Sequence, residues 1–302
     1  MYYFIYGFLY LFSLLPIRIL YFFSDATFLL IYYLFKYRKT VVFSNIKQAF
    51  PDKSDKEIKI IAQKFYHNIT DSFVETIKLI SASDKFIRKR FYGDFSVFHY
   101  LYEKGKKCHV HTSHNFNWEY ANFATPLYIS HTMLTVYMPI KNKIVDKLLK
   151  KIRTRTGAIL LPATTTRSAI LPFRNTQYAL ILVADQNPSN LQSVYWVNFL
   201  HKSTAFLRGP ESGARRGNIP VIFSYFIKEK RGFYKIINFL AEENPANTQP
   251  GELTLRYVRF LEEMIRKSPE MWLWSHKRWK HSWKPEYKDL WVDKKPAPIK
   301  DK

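Results

Sequence analysis

His114 and Glu119, five residues apart, are the side chains whose types best suit proton transfer. An imidazole nitrogen can take a proton from a hydroxyl while a carboxylate at the other ring nitrogen fixes the tautomer. On a regular helix, residues five apart point about 140° away from each other, so the two side chains could not pair there. Across a turn from a strand into a helix they can, and we therefore predict a hydroxyl-activating pair at such a turn.

The residues around this pair have the pattern of a strand, a loop and a helix. Residues 108–113 read as a strand that ends in a polar loop, residues 114–117, and Trp118 and Glu119 open a helical stretch. Strand ends are where α/β sheets place active groups. Further β-rich runs lie at residues 133–138, 179–184, 194–199 and 221–227, with helical patterns at 144–153 and 253–267. This alternation predicts an α/β fold, a mixed sheet flanked by helices.

A long amphipathic helix is predicted ahead of the first strand. Ser54 and Glu57 have the spacing of a capping box, and apolar residues recur at helical spacing from residue 58 to residue 80. We expect these apolar residues, Phe73 among them, to pack in the core and to carry no chemistry.

The N-terminus predicts a helical membrane anchor. Residues 1–35 hold only two charged side chains, Arg18 and Asp25, and Pro16 divides them into two stretches too short for clean spans. A helical hairpin or a slanted anchor is favoured, and a buried core helix remains the alternative. A cleaved signal peptide lacks support, since no basic start or small-residue cleavage site is present.

Charge and composition set the domain plan and the class of partner. The basic residues at 36–39 predict that the downstream chain is cytoplasmic. We expect an anchor at residues 1–39, a catalytic domain at 40–292 and a basic flexible tail at 293–302. Lysine and arginine number 47 against 24 acidic residues, a net charge of +23. This field favours anionic partners, and with 18% aromatic residues it fits an anionic membrane surface better than nucleic acid.

Two other groups of residues suggest chemistry. Cys108 lies in an apolar strand pattern, where a thiol is usually buried and inert. His109 and His111 share one strand face and, with His114, invite a metal site, but no further ligand has suitable spacing, so we predict none. The Trp, Lys and Arg cluster at residues 272–283 predicts an interfacial belt; a non-catalytic membrane-surface or nucleic-acid-binding protein is the rival hypothesis.

The stretch around His114 resembles the signature block of the lysophospholipid and lipid A late acyltransferases. That block, an HX4E motif, usually reads glycine and then His-x-Gly-Asn-Trp-Glu. This sequence keeps four of its residues, His114, Asn117, Trp118 and Glu119. It departs at Ser113 and Phe116, where the family has glycine, which makes the loop stiffer and bulkier and predicts a different substrate preference.

The resemblance extends along almost the whole chain, to about Lys280. Residues 40–51, with Asn45-Ile46 and Ala49-Phe50-Pro51, are similar to the family's segment after its membrane anchor. Ala184-Asp185-Gln186 resembles the family's Asp-Gln or Asp-His block, and residues 271–280 resemble its terminal Trp-x-His-Arg-Arg-Phe-Lys block. Several matches in the same order make coincidence improbable.

The resemblance implies a glycerol-phosphate acyltransferase-like fold and an acyltransferase of the bacterial inner membrane. An acyl chain would pass from an acyl carrier protein thioester to a hydroxyl of a lipid A precursor, with no other cofactor. His114 would be the general base and Glu119 its orienting carboxylate. A lysophospholipid or an aminolipid is the alternative acceptor. Phospholipid, lipid A phosphates and an acidic carrier protein all suit the positive charge.

Further binding residues are expected near this pair. A developing oxyanion and a substrate phosphate call for an arginine, and we choose Arg155 ahead of Arg153. A solvated basic helix end is the simpler interpretation of both arginines. Asn117 and Asp185 are expected to contact substrate. For Asp185, orienting a basic partner is the alternative, and a structural role is equally compatible with a carboxylate at a strand end. A hydrophobic groove for the acyl tail should run from His114 toward the N-terminal anchor.

Overall fold

A computed structural model describes residues 1–298, which form the mixed α/β fold that the alternation of strands and helices predicts. The helices are α1 Tyr2–Leu14, α2 Ile17–Leu29, α3 Lys39–Ala49, α4 Asp55–Lys78, α5 Asp84–Arg88, α6 Ser96–Glu103, α7 Trp118–Ala124, α8 Lys143–Arg153, α9 Thr166–Ala169, α10 Gly209–Gly217 and α11 Glu252–Lys267. The strands are β1 Phe91–Gly93, β2 Cys108–Thr112, β3 Thr132–Tyr137, β4 Ile159–Pro162, β5 Tyr178–Val183, β6 Val194–Phe199, β7 Lys202–Leu207, β8 Val221–Lys230 and β9 Phe233–Glu242.

The main sheet has the order β1-β9-β8-β2-β5-β3-β4, and its strands are parallel except where β8 meets β9. Strand β2 lies between β8 and β5, so its carboxyl end is at the middle of the boundary that the carboxyl ends of the parallel strands form. The predicted strand at 194–199 is β6, which pairs with β7 in a separate antiparallel hairpin. Strands β1, β4, β7 and β9 were not predicted, since short or charge-interrupted runs give weak periodicity.

Helix α4 joins the N-terminal helices to the sheet. It begins with the predicted capping box: Ser54 Oγ accepts from Glu57 N at 3.3 Å, and Glu57 accepts from Ser54 N at 2.9 Å. Its apolar face is buried as expected, apart from Ile77, which is partly buried, and Phe73. Phe73 is 66% exposed and lines the cavity described below, so the expectation that it packs in the core is wrong.

The N-terminal segment folds as two helices, α1 and α2, divided near Pro16, and α2 runs on into a π-helical turn, Leu30–Leu34. The run Ile17–Leu34 is long and apolar enough to cross a membrane, and 22% of it is buried. Large apolar side chains stay exposed along both helices: Tyr3, Phe4, Phe8, Leu11, Leu14, Ile19, Phe22, Phe23, Leu29, Leu30, Tyr33 and Leu34.

Polar contacts fasten these helices to α4. Lys78 Nζ donates to the carbonyls of Ser13 at 2.7 Å and Leu15 at 3.0 Å, which caps the end of α1 with a cation. Ser24 Oγ donates to Asp71 at 2.8 Å, and Arg231 bridges Asp71 to Asp25 on α2. The N-terminal segment is therefore packed onto α4 and the sheet through specific contacts.

The tryptophans of the segment 272–283 are mostly interior, and the prediction of an interfacial belt is wrong for them. Trp272, Trp274 and Trp283 are each no more than 3% exposed, and Arg278 is buried with them. Asn45 of α3 holds this segment by donating to the carbonyls of two of its residues at 2.7 and 2.8 Å. Rings that pack against the core are unavailable to lipid headgroups or to nucleic-acid bases.

The expected tail begins with anchored residues. Asp293 accepts a hydrogen bond from the backbone N–H of Asn198 at 3.0 Å, and the carbonyl of Pro298 accepts one from Trp283 Nε1 at 2.9 Å. The end of the predicted tail, residues 299–302, lies outside the described residues. The boundaries at residues 39 and 292 stay predictions.

Candidate active site

The loop after β2 carries His114 and leads into α7, as the sequence predicts. Asn117 is the N-cap of α7, where its Oδ1 accepts from Tyr120 N at 3.2 Å. The segment after α11 runs beside the loop: Phe116 N donates to Met271 O at 2.8 Å, and Leu273 N donates to His114 O at 3.1 Å. Backbone pairing between residues 114–116 and residues 271–273 therefore fixes the position of the loop.

Asp185 is the carboxylate that contacts the His114 ring. Its Oδ1 lies 2.7 Å from His114 Nδ1, and its Oδ2 accepts from the His114 backbone N–H at 3.0 Å and from Trp272 Nε1 at 2.8 Å. The Asp185 side chain is 2% exposed and the His114 side chain 23%. Burial acts to raise the pKa of Asp185, but the charge of His114 and these hydrogen bonds outweigh it and hold the pKa below its ordinary value. Asp185 is therefore ionised at neutral pH.

The structure corrects the expectation that Glu119 orients His114. Glu119 accepts from Arg153 Nε at 2.8 Å, forms a second contact with Arg153 Nη2, and accepts from Trp118 Nε1 at 3.1 Å. The reason is topological: Asp185 follows β5, which is parallel to β2, so both strand ends reach one sheet edge. Glu119 lies in the first turn of α7, where it faces the end of α8.

The two candidate arginines occupy different places. Arg153 lines the cavity beside His114, and the charge and hydrogen bonds of Glu119 raise its pKa against the opposing effect of burial. Arg155, our first choice from the sequence, donates instead to the carbonyls of Leu79 and Ala82 after α4. The structure therefore places Arg153, rather than Arg155, beside the predicted pair.

A buried carboxyl behind the loop was not identified from the sequence. Glu75 of α4 accepts from Asn117 Nδ2 at 3.0 Å, from Tyr234 at 2.7 Å and from Tyr21 at 2.7 Å. Burial, with the charge of Asp71, raises the pKa of Glu75. Asn117 thus supports the loop through Glu75 as well as through its cap. A single glutamate within an amphipathic pattern gives no signal of this role.

The remaining candidates on β2 are buried. Burial raises the pKa of the Cys108 thiol, which has 0% exposure and is consistent with an inert thiol. Burial also lowers the pKa of His109 to about 4 and that of His111 to about 3. Among residues 1–298, no group of three or more His, Cys, Asp or Glu side chains is placed to hold a metal ion.

A cavity of about 1270 Å³ opens at His114 and extends along the sheet toward the N-terminal helices. We call the part that lies between α4, α7, α8 and the sheet the apolar arm. Its lining is dominated by aliphatic and aromatic side chains, which include Leu9, Ile69, Phe73, Ile77, Ile80, Val110, Phe116, Val145, Leu148, Leu149, Ile152 and Ile181. Because Leu9 belongs to α1, the arm reaches the N-terminal segment, as the predicted groove should.

The family relationship follows from comparison with known proteins. The sequence model of the bacterial lipid A biosynthesis acyltransferases matches residues 1–281. No curated protein matches the chain significantly. Since the match covers most of the 302 residues, including the whole site described above, the chain belongs to the bacterial lipid A biosynthesis acyltransferase family and is an acyltransferase.

Proposed function

We propose that this member of the lipid A biosynthesis acyltransferase family transfers a fatty acyl chain from an acyl carrier protein thioester to a hydroxyl of a lipid A precursor, a secondary acylation. The observation that carries the proposal is the 2.7 Å contact between His114 Nδ1 and Asp185 at the opening of a large cavity. A buried carboxylate that holds one ring nitrogen leaves the other nitrogen free to act as a general base.

The reaction needs no covalent acyl-enzyme. With Nδ1–H donated to Asp185, His114 Nε2 takes the proton of the acceptor hydroxyl as its oxygen attacks the thioester carbonyl carbon. The tetrahedral intermediate then collapses, the C–S bond breaks, and the imidazolium returns its proton to the departing sulfur. The products are the new ester and the free thiol of the carrier.

We assign to Arg153 the stabilisation of the negative charge that develops on the carbonyl oxygen of the thioester. Glu119 binds Nε and Nη2 of Arg153, which leaves Nη1 without a hydrogen-bond partner among residues 1–298. A fixed cation that borders the cavity can stabilise an oxyanion without reorganising during the reaction. In this proposal Glu119 positions Arg153, whereas Asp185 positions His114.

The apolar arm is the proposed site of the acyl chain. Binding pockets for small ligands span roughly 300–1000 Å³, so the cavity has room for a chain and part of a headgroup. A chain bound between α4 and α8 would reach Leu9, on the helix whose other side chains are exposed and apolar. We infer that α1 and α2 contact phospholipid in the bacterial inner membrane and that the catalytic body faces the cytoplasm.

Helix α8 suits the proposed carrier protein. It presents Lys143, Lys147 and Lys151 as exposed cations, and its Val145 and Leu148 line the apolar arm. An acidic partner drawn to these lysines would deliver its acyl chain beside the cavity. The same positive charge attracts the phosphates of the lipid A precursor and anionic lipid headgroups.

The test is acyl transfer by a His114→Ala variant. We expect transfer from acyl carrier protein to fall by about 10²- to 10⁴-fold, with membrane binding retained. His99→Ala, which alters an exposed histidine on α6, is the matched control and should keep full activity. Transfer by His114→Ala at the wild-type rate would disprove the assignment.

Mass spectrometry of lipids from a strain that lacks the gene identifies the acceptor. We expect a lipid A species that lacks one secondary acyl chain, restored by the wild-type gene and not by the His114→Ala gene. Unchanged lipid A with altered phospholipids or aminolipids would instead support the alternative acceptors and contradict the proposal.

A further inference from the structure

The cavity has a second arm on the opposite face of the sheet. Successive residues of a strand point to opposite faces. Val110 and Ile181 line the apolar arm, whereas their neighbours His109 and Leu180 line the cavity from the other face. Helix α10 covers this second arm, since a Cβ atom on Gly213 would lie 3.4 Å from His109 Cε1. Both arms communicate with His114, because they belong to one cavity.

Two arginines without partners border the second arm. Arg167 on α9 and Arg216 on α10 line the cavity, and neither has a hydrogen-bond or ion-pair partner in the part of the chain that the structure describes. Ile170 and Ile219, each three residues further along, pack with Leu180 in one hydrophobic cluster. The two arginines therefore flank the same patch of the sheet. By contrast, Arg153 in the other arm is already paired with Glu119.

A buried histidine also points to a polar ligand in this arm. His109 is only 4% exposed and lines the cavity, and its Nδ1 has no hydrogen-bond partner among residues 1–298. A buried polar atom without a partner costs free energy. Nδ1 is closed to solvent in this structure, so a polar ligand group would recover that free energy only after a small shift of the ring or of α10. A purely apolar ligand would leave that atom unsatisfied.

We propose that Arg167 and Arg216 form a phosphate-binding subsite, in which the phosphorylated portion of one substrate lies across the second arm while the acyl chain occupies the apolar arm. This inference rests on the proposed function. Guanidinium groups bind phosphate through paired, charge-assisted hydrogen bonds, and two of them on separate elements fix its orientation. The phosphate belongs either to the sugar of the acceptor or to the prosthetic group of the acyl donor.

Equilibrium binding to the full-length protein tests the subsite without requiring turnover. All variants carry His114→Ala, and the acceptor probes are a phosphorylated glucosamine disaccharide lipid and its dephosphorylated form. The donor probes are acyl-4′-phosphopantetheine and acyl-pantetheine. Arg167→Gln and Arg216→Gln should each weaken binding of one phosphorylated probe on the order of tenfold and leave its unphosphorylated form unchanged. Arg174→Gln, an exposed arginine near α9 that does not line the cavity, should match the parent.

The outcomes distinguish a phosphate of the acceptor from a phosphate of the donor. They also distinguish failure of the phosphate subsite from failure of the proposed acyl transfer. Selective loss for the disaccharide lipid assigns the phosphate to the acceptor, and selective loss for the phosphopantetheine probe assigns it to the donor. Unchanged binding of both phosphorylated probes, or equal losses with and without phosphate, would overturn the subsite. Acyl transfer by the protein with its native His114 is measured separately; if transfer is absent while phosphate selectivity persists, the proposed function alone fails.

Discussion

The Asp185–His114 pair and the Glu119–Arg153 pair lie in the same region but differ in what their basic partner can do. In each pair a mostly buried carboxylate binds a nitrogen, at 2.7 Å for His114 Nδ1 and 2.8 Å for Arg153 Nε. An imidazole gains and loses protons near neutral pH, whereas a guanidinium keeps its charge. The first pair is therefore suited to proton transfer and the second to holding a fixed positive charge.

The comparison also separates sequence proximity from spatial proximity. Glu119 is five residues from His114 in the sequence, but it contacts Arg153, 34 residues further along the chain. Asp185 contacts His114 although the two residues are 71 positions apart. A sequence motif identifies residues of a site, but the order of the strands in the sheet determines which of these residues are in contact. Parallel β2 and β5 bring Asp185 to His114 because both strands end at one edge.

Of the variants in the two pairs, Asp185→Asn should reduce the rate of acyl transfer most. An asparagine amide can donate to Nδ1 and stabilise the wrong tautomer, so we expect kcat to fall by about 10²- to 10⁴-fold with little change in KM. Steady-state kinetics with purified carrier-bound donor would measure it, and an unchanged thermal midpoint would exclude unfolding. Retention of wild-type kcat would remove Asp185 from the mechanism.

His111, on strand β2 just before the loop of His114, shows how a buried histidine behaves without a carboxylate partner. Its pKa of about 3 in the folded protein lies below the ordinary value of about 6.5, so the unfolded chain takes up a proton first as the pH falls. The associated stability is present above about pH 6.5 and is lost as the pH falls toward 3, on the order of a few kcal/mol. Denaturant unfolding across this range should show a shallower pH slope for His111→Phe and an unaltered slope for exposed His99→Asn. Equal slopes in all three proteins would contradict this account.

Glu119→Gln should have the smallest effect on catalysis. It leaves His114 bound to Asp185 but loosens Arg153, so we expect kcat/KM to fall on the order of tenfold. Arg153→Gln should lose a similar amount, and the double variant should lose little more, because the two residues act as one unit. Additive losses would show that Glu119 has a role independent of Arg153.

Much of the fold could be predicted from the sequence, because it depends on periodicity. Strands β2 and β6, the capping box of α4 and the start of α7 lie where their patterns place them. Strands β1 and β4 were missed because each has too few residues to show a periodic pattern. Phe73 lies on the predicted apolar face of α4 but borders an open cavity, which helical periodicity does not distinguish from the core.

The sequence identified His114, Asn117, Glu119, Arg153 and Asp185 as candidates but not Glu75, and it did not predict which of these side chains pair. Periodicity placed His114 at a strand end, and Asp185 was recognised at the end of another strand. That these two strands are neighbours depends on sheet order, which no local pattern encodes. Likewise, Arg153 is the last residue of α8 and Arg155 lies just beyond its end, so which of the two faces the cavity depends on where α8 ends and how it packs.

The tautomer of His114 tests the central claim most directly. Nitrogen-15 NMR of ring-labelled protein at alkaline pH distinguishes a proton on Nδ1 from one on Nε2, with His114→Ala identifying the signal. We predict the Nδ1–H form in the wild type and in Glu119→Gln, and a shift toward Nε2–H in Asp185→Asn. An Nε2–H form in the wild type, or a shift in Glu119→Gln with none in Asp185→Asn, would contradict the assignment of Asp185 as the residue that orients the base.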